Sequence, residues 1–178
     1  FDEAGTPLCS APLPRSGVQL VMGEGGASLF AFSRENGMTV FDTSTCAARL
    51  TLEPGLVRHA VRPGGGQLVT VESDALVARS PRDGRELGRR PITTEVAQIR
   101  YSPSGTCLAI YGEQKLTVVR AADGATMHGP VDMPRIPLRL DDDCAHVTIP
   151  TPRTPSVVDL RTNETTQLPE GTRITDEI

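Results

Sequence analysis

The sequence predicts an all-β chain built from a repeated unit of four short antiparallel strands. Three observations predict it. Short apolar runs recur at a nearly fixed step, and polar turns recur downstream of them at the same step. No segment keeps helical periodicity for three turns. The 178 residues include 17 Gly and 15 Pro, the punctuation of a chain with many turns and short elements.

The apolar runs each follow a turn. Ser28-Leu29-Phe30-Ala31-Phe32 follows Gly25-Gly26, and Gln67-Leu68-Val69-Thr70-Val71 follows Gly64-Gly65-Gly66. Cys107-Leu108-Ala109-Ile110-Tyr111 follows Ser104-Gly105, and a fourth run, His146-Val147-Thr148-Ile149, follows Asp142-Asp143. Leu29, Leu68, Leu108 and Val147 are then equivalent, at steps of 39, 40 and 39. The polar turns Thr43-Ser44-Thr45, Arg82-Asp83-Gly84, Ala122-Asp123-Gly124 and Thr162-Asn163-Glu164 give a second landmark. Their last residues, Thr45, Gly84, Gly124 and Glu164, are spaced by 39, 40 and 40.

The third unit shows the four strands in order. Val96 to Tyr101 alternates apolar and polar residues, and Ser102-Pro103-Ser104-Gly105 places Pro and Gly as a tight turn requires. Cys107 to Tyr111 follows, then a turn at Gly112-Glu113-Gln114 and a strand from Leu116 to Val119. Asp123-Gly124 is a hairpin turn, and Ala125 to Met127 opens the last strand. Strands of about five residues joined by such turns are the usual all-β pattern.

On these residues the chain resembles the WD-repeat and related YVTN-type propeller families. Tyr101-Ser102-Pro103-Ser104-Gly105-Thr106-Cys107-Leu108-Ala109 is similar to their F-S-P-D-G-x-x-L-A stretch, echoed in Val61-Arg62-Pro63-Gly64-Gly65-Gly66-Gln67-Leu68-Val69. Phe41-Asp42 stands where the Trp-Asp pair of those families falls. The sequence departs from the pattern in having no Trp and no Gly-His opening a unit. On this reading only the first full unit has an Asp in the dipeptide position. The resemblance implies a β-propeller segment of four-stranded antiparallel blades, about four full blades with partial blades at both ends. The expected divisions are 1–16 (end of a preceding blade), 17–55, 56–94, 95–134 and 135–170 (blades), and 171–178 (start of a next blade or tail). Phe1-Asp2-Glu3-Ala4-Gly5 aligns with Phe41-Asp42-Thr43-Ser44-Thr45, so an arc of a larger ring is expected ahead of a closed four-bladed one.

Composition narrows the function classes. Aromatic residues are 3% of the chain, so the core rests on Val, Leu, Ile, Ala and a few Phe. A net charge of −4 gives no general attraction to nucleic acid or to anionic membranes. No run approaches the ~18 apolar residues of a membrane span. The N-terminal Phe1-Asp2-Glu3 has neither the basic nor the apolar region of a signal peptide, and a cytoplasmic location is expected. Cys9, Cys46, Cys107 and Cys144 form no Cys-x-x-Cys pair, which argues against structural zinc. A chain of this size does not need disulfide staples. If bridged, Cys9–Cys46 and Cys107–Cys144, each 37 residues apart, would link neighbouring blades and favour a secreted or periplasmic protein.

No motif assigns a catalytic, cofactor-binding or metal-ligating residue. His59, His128 and His146 fall at different places in their units and do not converge. Asp141-Asp142-Asp143 lacks the spacing of a calcium loop and reads as a solvated acidic turn. Gly23-Glu24-Gly25-Gly26 and Gly64-Gly65-Gly66 lack the Lys and the following helix of a phosphate loop. Asn163-Glu164-Thr165 fits the glycosylation triplet, which matters only in a secreted protein. Arg79, Arg82, Arg85, Arg89 and Arg90 form a basic cluster on the outer part of the second unit and are the candidate interaction patch. They could meet phosphate or an acidic protein surface, and RNA readers usually add stacking aromatics that this cluster lacks.

The expected function is therefore a non-enzymatic scaffold for protein–protein interaction within a larger assembly, a ribonucleoprotein or translation complex among the options. Its partners would be other subunits or the remainder of a larger propeller. The alternatives are an enzyme, or a secreted or periplasmic sensor, with an axial ligand site completed by residues outside this chain.

Overall fold

The computed structural model describes residues 10, 18–33, 37–52, 58–133, 139–150 and 154–172. The expected partial blades therefore lie outside the described residues, except for residues 10, 171 and 172. The chain divides into two compact units, Phe1–Thr93 and Thr94–Ile178.

In the first unit, β1 (Gln19–Gly23), β2 (Ser28–Ser33), β3 (Gly37–Asp42) and β4 (Ala48–Leu52) form one antiparallel sheet in chain order. A second sheet follows from β5 (Arg58–Val61), β6 (Leu68–Glu72), β7 (Ala75–Arg79) and β8 (Glu86–Pro91). The second unit repeats the plan. β9 (Gln98–Tyr101), β10 (Cys107–Gly112), β11 (Lys115–Arg120) and β12 (Thr126–Asp132) form one sheet. β13 (Arg139–Leu140), β14 (His146–Ile149), β15 (Ser156–Asp159) and β16 (Glu164–Gln167) form the other.

Register makes the repeat concrete. Leu29, Leu68, Leu108 and Val147 all lie on the second strand of their sheets. Their first-strand partners are Met22, Val61, Tyr101 and Leu140. Their third-strand partners are Phe41, Arg79, Val119 and Val158. This register corrects one expectation. Asp159 follows Val158 as Asp42 follows Phe41, so the fourth unit as well as the first has Asp in the dipeptide position. An aliphatic residue before the Asp hid the match in the sequence.

Two turns per sheet fix that register. Between the first and second strands, an equivalent residue in each sheet adopts a left-handed backbone: Gly26 (φ 93), Gly65 (φ 75), Gly105 (φ 69) and Cys144 (φ 61), joined in the first two by Gly25 (φ 62) and Gly64 (φ 83). In three of these turns its amide donates back across the turn, Gly65 to Arg62 O at 2.7 Å, Gly105 to Ser102 O at 2.8 Å and Cys144 to Asp141 O at 3.0 Å. Between the third and fourth strands the left-handed residues are Cys46 (φ 55), Gly84 (φ 72), Gly124 (φ 71) and Asn163 (φ 60). Their amides donate to Asp42, Ser80, Arg120 and Asp159 carbonyls at 2.7–2.9 Å. A side-chain oxygen one residue earlier, on Thr45, Asp83, Asp123 or Thr162, then accepts the amide of Ala47, Arg85, Ala125 or Glu164. Four-residue loops that close on a left-handed residue suit the twist of antiparallel strands.

The second strands β2, β6, β10 and β14 are largely buried on both faces. β6 has Leu68, Val69, Thr70 and Val71 all within the core, so its apolar run is continuous where a half-buried strand would alternate. Buried Thr70 donates its hydroxyl to Val77 O at 3.4 Å. In the first unit, Phe30, Phe32, Met38 and Val40 of one sheet pack with Leu68 of the other. In the second unit, Cys107, Ala109, Tyr111, Leu116 and Val118 pack against Leu140, Val147, Ile149 and Val158. The outer strands β4, β8, β12 and β16 are largely exposed. Three of them carry a β-bulge, at Arg49, Leu87 and Met127, a device that blunts sheet edges.

Two glycine substitutions separate backbone strain from collision. A Cβ at Gly124 meets nothing within 4 Å, so Gly124→Ala carries only the left-handed strain. It should destabilise by about 1 kcal/mol. A Cβ at Gly112 would lie 2.0 Å from the Glu95 carbonyl oxygen, a backbone atom that cannot rotate away. Gly112→Ala should cost roughly 3 kcal/mol or more. Denaturant unfolding of both variants checks the order.

Candidate functional site

The five arginines of the basic cluster do not form one free patch. Arg79 on β7 donates its Nη2 to Glu72 Oε1 at 2.6 Å and its Nη1 to Gly84 O at 3.2 Å. Arg89 on β8 pairs with Glu72 Oε2 at 3.3 Å and with Glu86 Oε2 at 3.0 Å. Burial works to raise the Glu72 carboxyl, but the hydrogen bond and charge of Arg79, with the charge of Arg89, hold it below the usual range. The strand register explains the network, because the β6–β7 hairpin closes Glu72 onto Ala75 and carries Arg79 back along the sheet. Arg90 is half-buried, whereas Arg82 and Arg85 are exposed at the β7–β8 hairpin. Neither Arg82 nor Arg85 forms an ion pair among the described residues.

The acidic run also separates. Asp142 Oδ1 accepts the Ser104 amide at 2.6 Å, tying this turn to the equivalent turn of the preceding sheet. Asp143 Oδ1 accepts the amides of Ala145 and His146 at 2.9 and 3.2 Å, and its Oδ2 meets His146 Nδ1. Desolvation raises the Asp143 carboxyl, yet these hydrogen bonds outweigh it and the net shift is downward. Asp141 shifts the other way, upward, because it is partly buried and Asp143 is close. His146 Nε2 lies 3.5 Å from Asp159 Oδ2, on the opposite side of the ring from Asp143. The two carboxylates thus flank the imidazole and do not share a point with it. No group of three or more His, Cys, Asp or Glu side chains among the described residues converges to hold a metal.

Asp42 and Asp159 play the same structural part. Asp42 Oδ1 accepts the Ser44 amide at 2.8 Å and Asp159 Oδ1 the Arg161 amide at 2.7 Å. Each carboxyl is held low, Asp42 first by the Ser44 hydroxyl and Asp159 first by the Arg161 amide. The second Asp42 oxygen binds Arg49, whose other arm reaches buried Ser28 at 3.4 Å. Sequence reasoning missed the partners in these networks, because Glu72, Arg49 and Asp159 are brought in by register.

Among the described residues the cysteines form one of the two pairings that the sequence spacing named. Cys107 and Cys144 are bridged, with Cα atoms 6.0 Å apart. Cys46 is also disulfide-bonded. Its partner, and Cys9 with it, lies outside the described residues. The size argument against staples failed because the repeat itself brings cysteines together. Cys144 occupies the glycine slot of its turn, and packing of the two sheets places that slot beside the first residue of β10. Cys46 likewise occupies the left-handed slot of its hairpin.

His59 on β5 stacks on Phe32 of β2, with ring centroids 3.5 Å apart and planes 4° from parallel. Burial, helped by the charge of Arg58, lowers its pKa to about 4. Among the described residues no helix is long and apolar enough to cross a membrane.

No family model matches the chain, and no curated protein matches it. Solved structures do. The β-propeller domain of Cps50 (Swd1) from Myceliophteria thermophila superposes with a TM-score of 0.61 at 14% identity, over 90% of this chain and 58% of that one. Hydrazine synthase of Kuenenia stuttgartiensis gives 0.59 at 16% identity, over 84% of this chain and 48% of that one. The fold is that of a β-propeller, and the four sheets are its blades. The chain spans about half the length of these neighbours.

His59 makes a pH prediction. Between its ordinary pKa of 6.5 and its folded value of about 4, the unfolded chain binds a proton that the folded chain excludes. Stability should be flat above pH 6.5 and fall as pH drops through that window. The loss should be about 2 kcal/mol, less than the full pKa difference implies because the ring is only partly buried. Thermal melts of wild type and His59→Phe at pH 7 and 5 check this, and the variant should show the smaller fall.

Proposed function

We propose that this chain is part of a non-catalytic propeller scaffold, a divergent WD-repeat relative, that holds protein partners in an oxidising compartment. The observation that carries the scaffold reading is one hairpin geometry repeated four times with different tips. The loops read Thr43-Ser44-Thr45-Cys46, Pro81-Arg82-Asp83-Gly84, Ala121-Ala122-Asp123-Gly124 and Leu160-Arg161-Thr162-Asn163. A constant frame with variable exposed side chains suits recognition, since binding residues concentrate on loops held by rigid scaffolds. Blade limits of 17–55, 56–94, 95–134 and 135–170 accompany the proposal.

The disulfides support the compartment. Bridges persist in secreted, periplasmic and surface proteins and are rare where thiols are kept reduced. They weigh against the cytoplasmic location expected from the sequence. The WD kinship rests on the paired dipeptides Phe41-Asp42 and Val158-Asp159, whose carboxylates close equivalent turns.

Thiol trapping in intact cells, followed by sizing of the native protein, tests the proposal. The expected result is no alkylation of Cys46, Cys107 or Cys144 before reduction, with the protein eluting in a complex. Alkylation of all three, or elution as a lone monomer, would overturn it.

A further inference from the structure

The β7–β8 hairpin differs from its three equivalents. It carries exposed arginines at its second loop position, Arg82, and just after the loop, Arg85. The corresponding pairs are Ser44 and Ala47, Ala122 and Ala125, and Arg161 and Glu164. Asp83 between them is turned into its own loop. Its Oδ1 accepts the Arg85 amide at 3.2 Å, and the Ser80 hydroxyl is the largest influence holding its carboxyl low. On the neighbouring strands Arg79 and Arg89 are paired with Glu72 and Glu86, which leaves Arg82 and Arg85 beside Asp83 at the hairpin. That is a local excess of one positive charge at the hairpin, on a chain of net charge −4. Beside the arginines, the β8 bulge pushes Leu87 outward, leaving it 44% exposed. Among the described residues β8 pairs with β7 alone.

We propose that this hairpin and the adjoining β8 edge dock a short acidic segment of a protein partner that also carries an apolar residue. Carboxylates meet Arg82 and Arg85, and the apolar side chain covers Leu87. Charge complementarity selects the occupant. Nucleic acid fits less well, because no aromatic side chain lies among these residues to stack a base. The proposal rests on the scaffold reading and adds the chemistry of its partner.

Fluorescence anisotropy with three labelled probes tests it: the peptide Glu-Glu-Leu-Glu-Glu-Leu-Glu-Glu, the same peptide with Gln for every Glu, and a 12-nucleotide oligouridine. The acidic peptide should bind, weaken with added salt, and outcompete both other probes. Arg82→Ala/Arg85→Ala should weaken it about tenfold, since two exposed charge contacts are lost. Leu87→Ser, which removes no charge, should weaken it about threefold. Arg161→Ala, at the equivalent loop position of the fourth hairpin, should leave binding unchanged. Equal binding of the Gln peptide, unchanged binding by the double variant, or tighter binding of the oligonucleotide would overturn the proposal. Absence of peptide binding would overturn this surface while leaving the oxidised scaffold standing. Free thiols in cells would overturn the compartment without touching the binding result.

Discussion

The four blades depend on two turns apiece in which one equivalent residue passes through left-handed backbone space. That equivalent residue falls once after the first strand and once after the third, whereas turns after the second strand vary, with left-handed Glu113 and Gln114 in one and none at Ser73-Asp74. Each such residue closes its turn and sets which side chains stand opposite one another on the flanking strands. A slip of one residue would turn every side chain to the other face. Glycine fills five of the eight positions at little steric cost, and Asn163 is the residue type that tolerates the region next best.

The remaining two positions hold Cys46 and Cys144, and both are bridged. Cysteine has no special tolerance for this conformation, so its presence there carries a backbone cost of order 1 kcal/mol. A bridge closing a loop of the size between Cys107 and Cys144 contributes several times that, about 3–4 kcal/mol in the chain-entropy account. The same turn therefore sets blade register and anchors a covalent tie to the preceding blade. Asp142 strengthens that tie by accepting the Ser104 amide.

Much of the architecture could be read from the sequence, because glycine and proline mark turns by local chemistry. The apolar landmark from Leu29 to Val147 coincides with a fixed place on the second strands. The turn landmark was one residue off at its two ends, where Thr45 and Glu164 stood in for Cys46 and Asn163, because neither true slot holds glycine. What could not be read depends on pairing between distant residues. Arg89 finds Glu72 seventeen residues away only through the β6–β7–β8 register. The spacing of Cys107 and Cys144 named the pair, but whether it closes depends on two sheets packing face to face. The basic cluster was visible as composition, but its division into paired and exposed arginines was not.

The left-handed slot is the claim on which the rest stands, and Cys144 tests it most directly. With the bridge removed by Cys107→Ala, the position is compared as Cys107→Ala/Cys144→Ala and Cys107→Ala/Cys144→Gly by denaturant unfolding. Alanine would be favoured by apolar burial and by the lower entropy of its unfolded chain. In the geometry described here, the glycine variant should nonetheless be the more stable, by about 1 kcal/mol. An alanine variant equal to or more stable than the glycine variant would contradict the account.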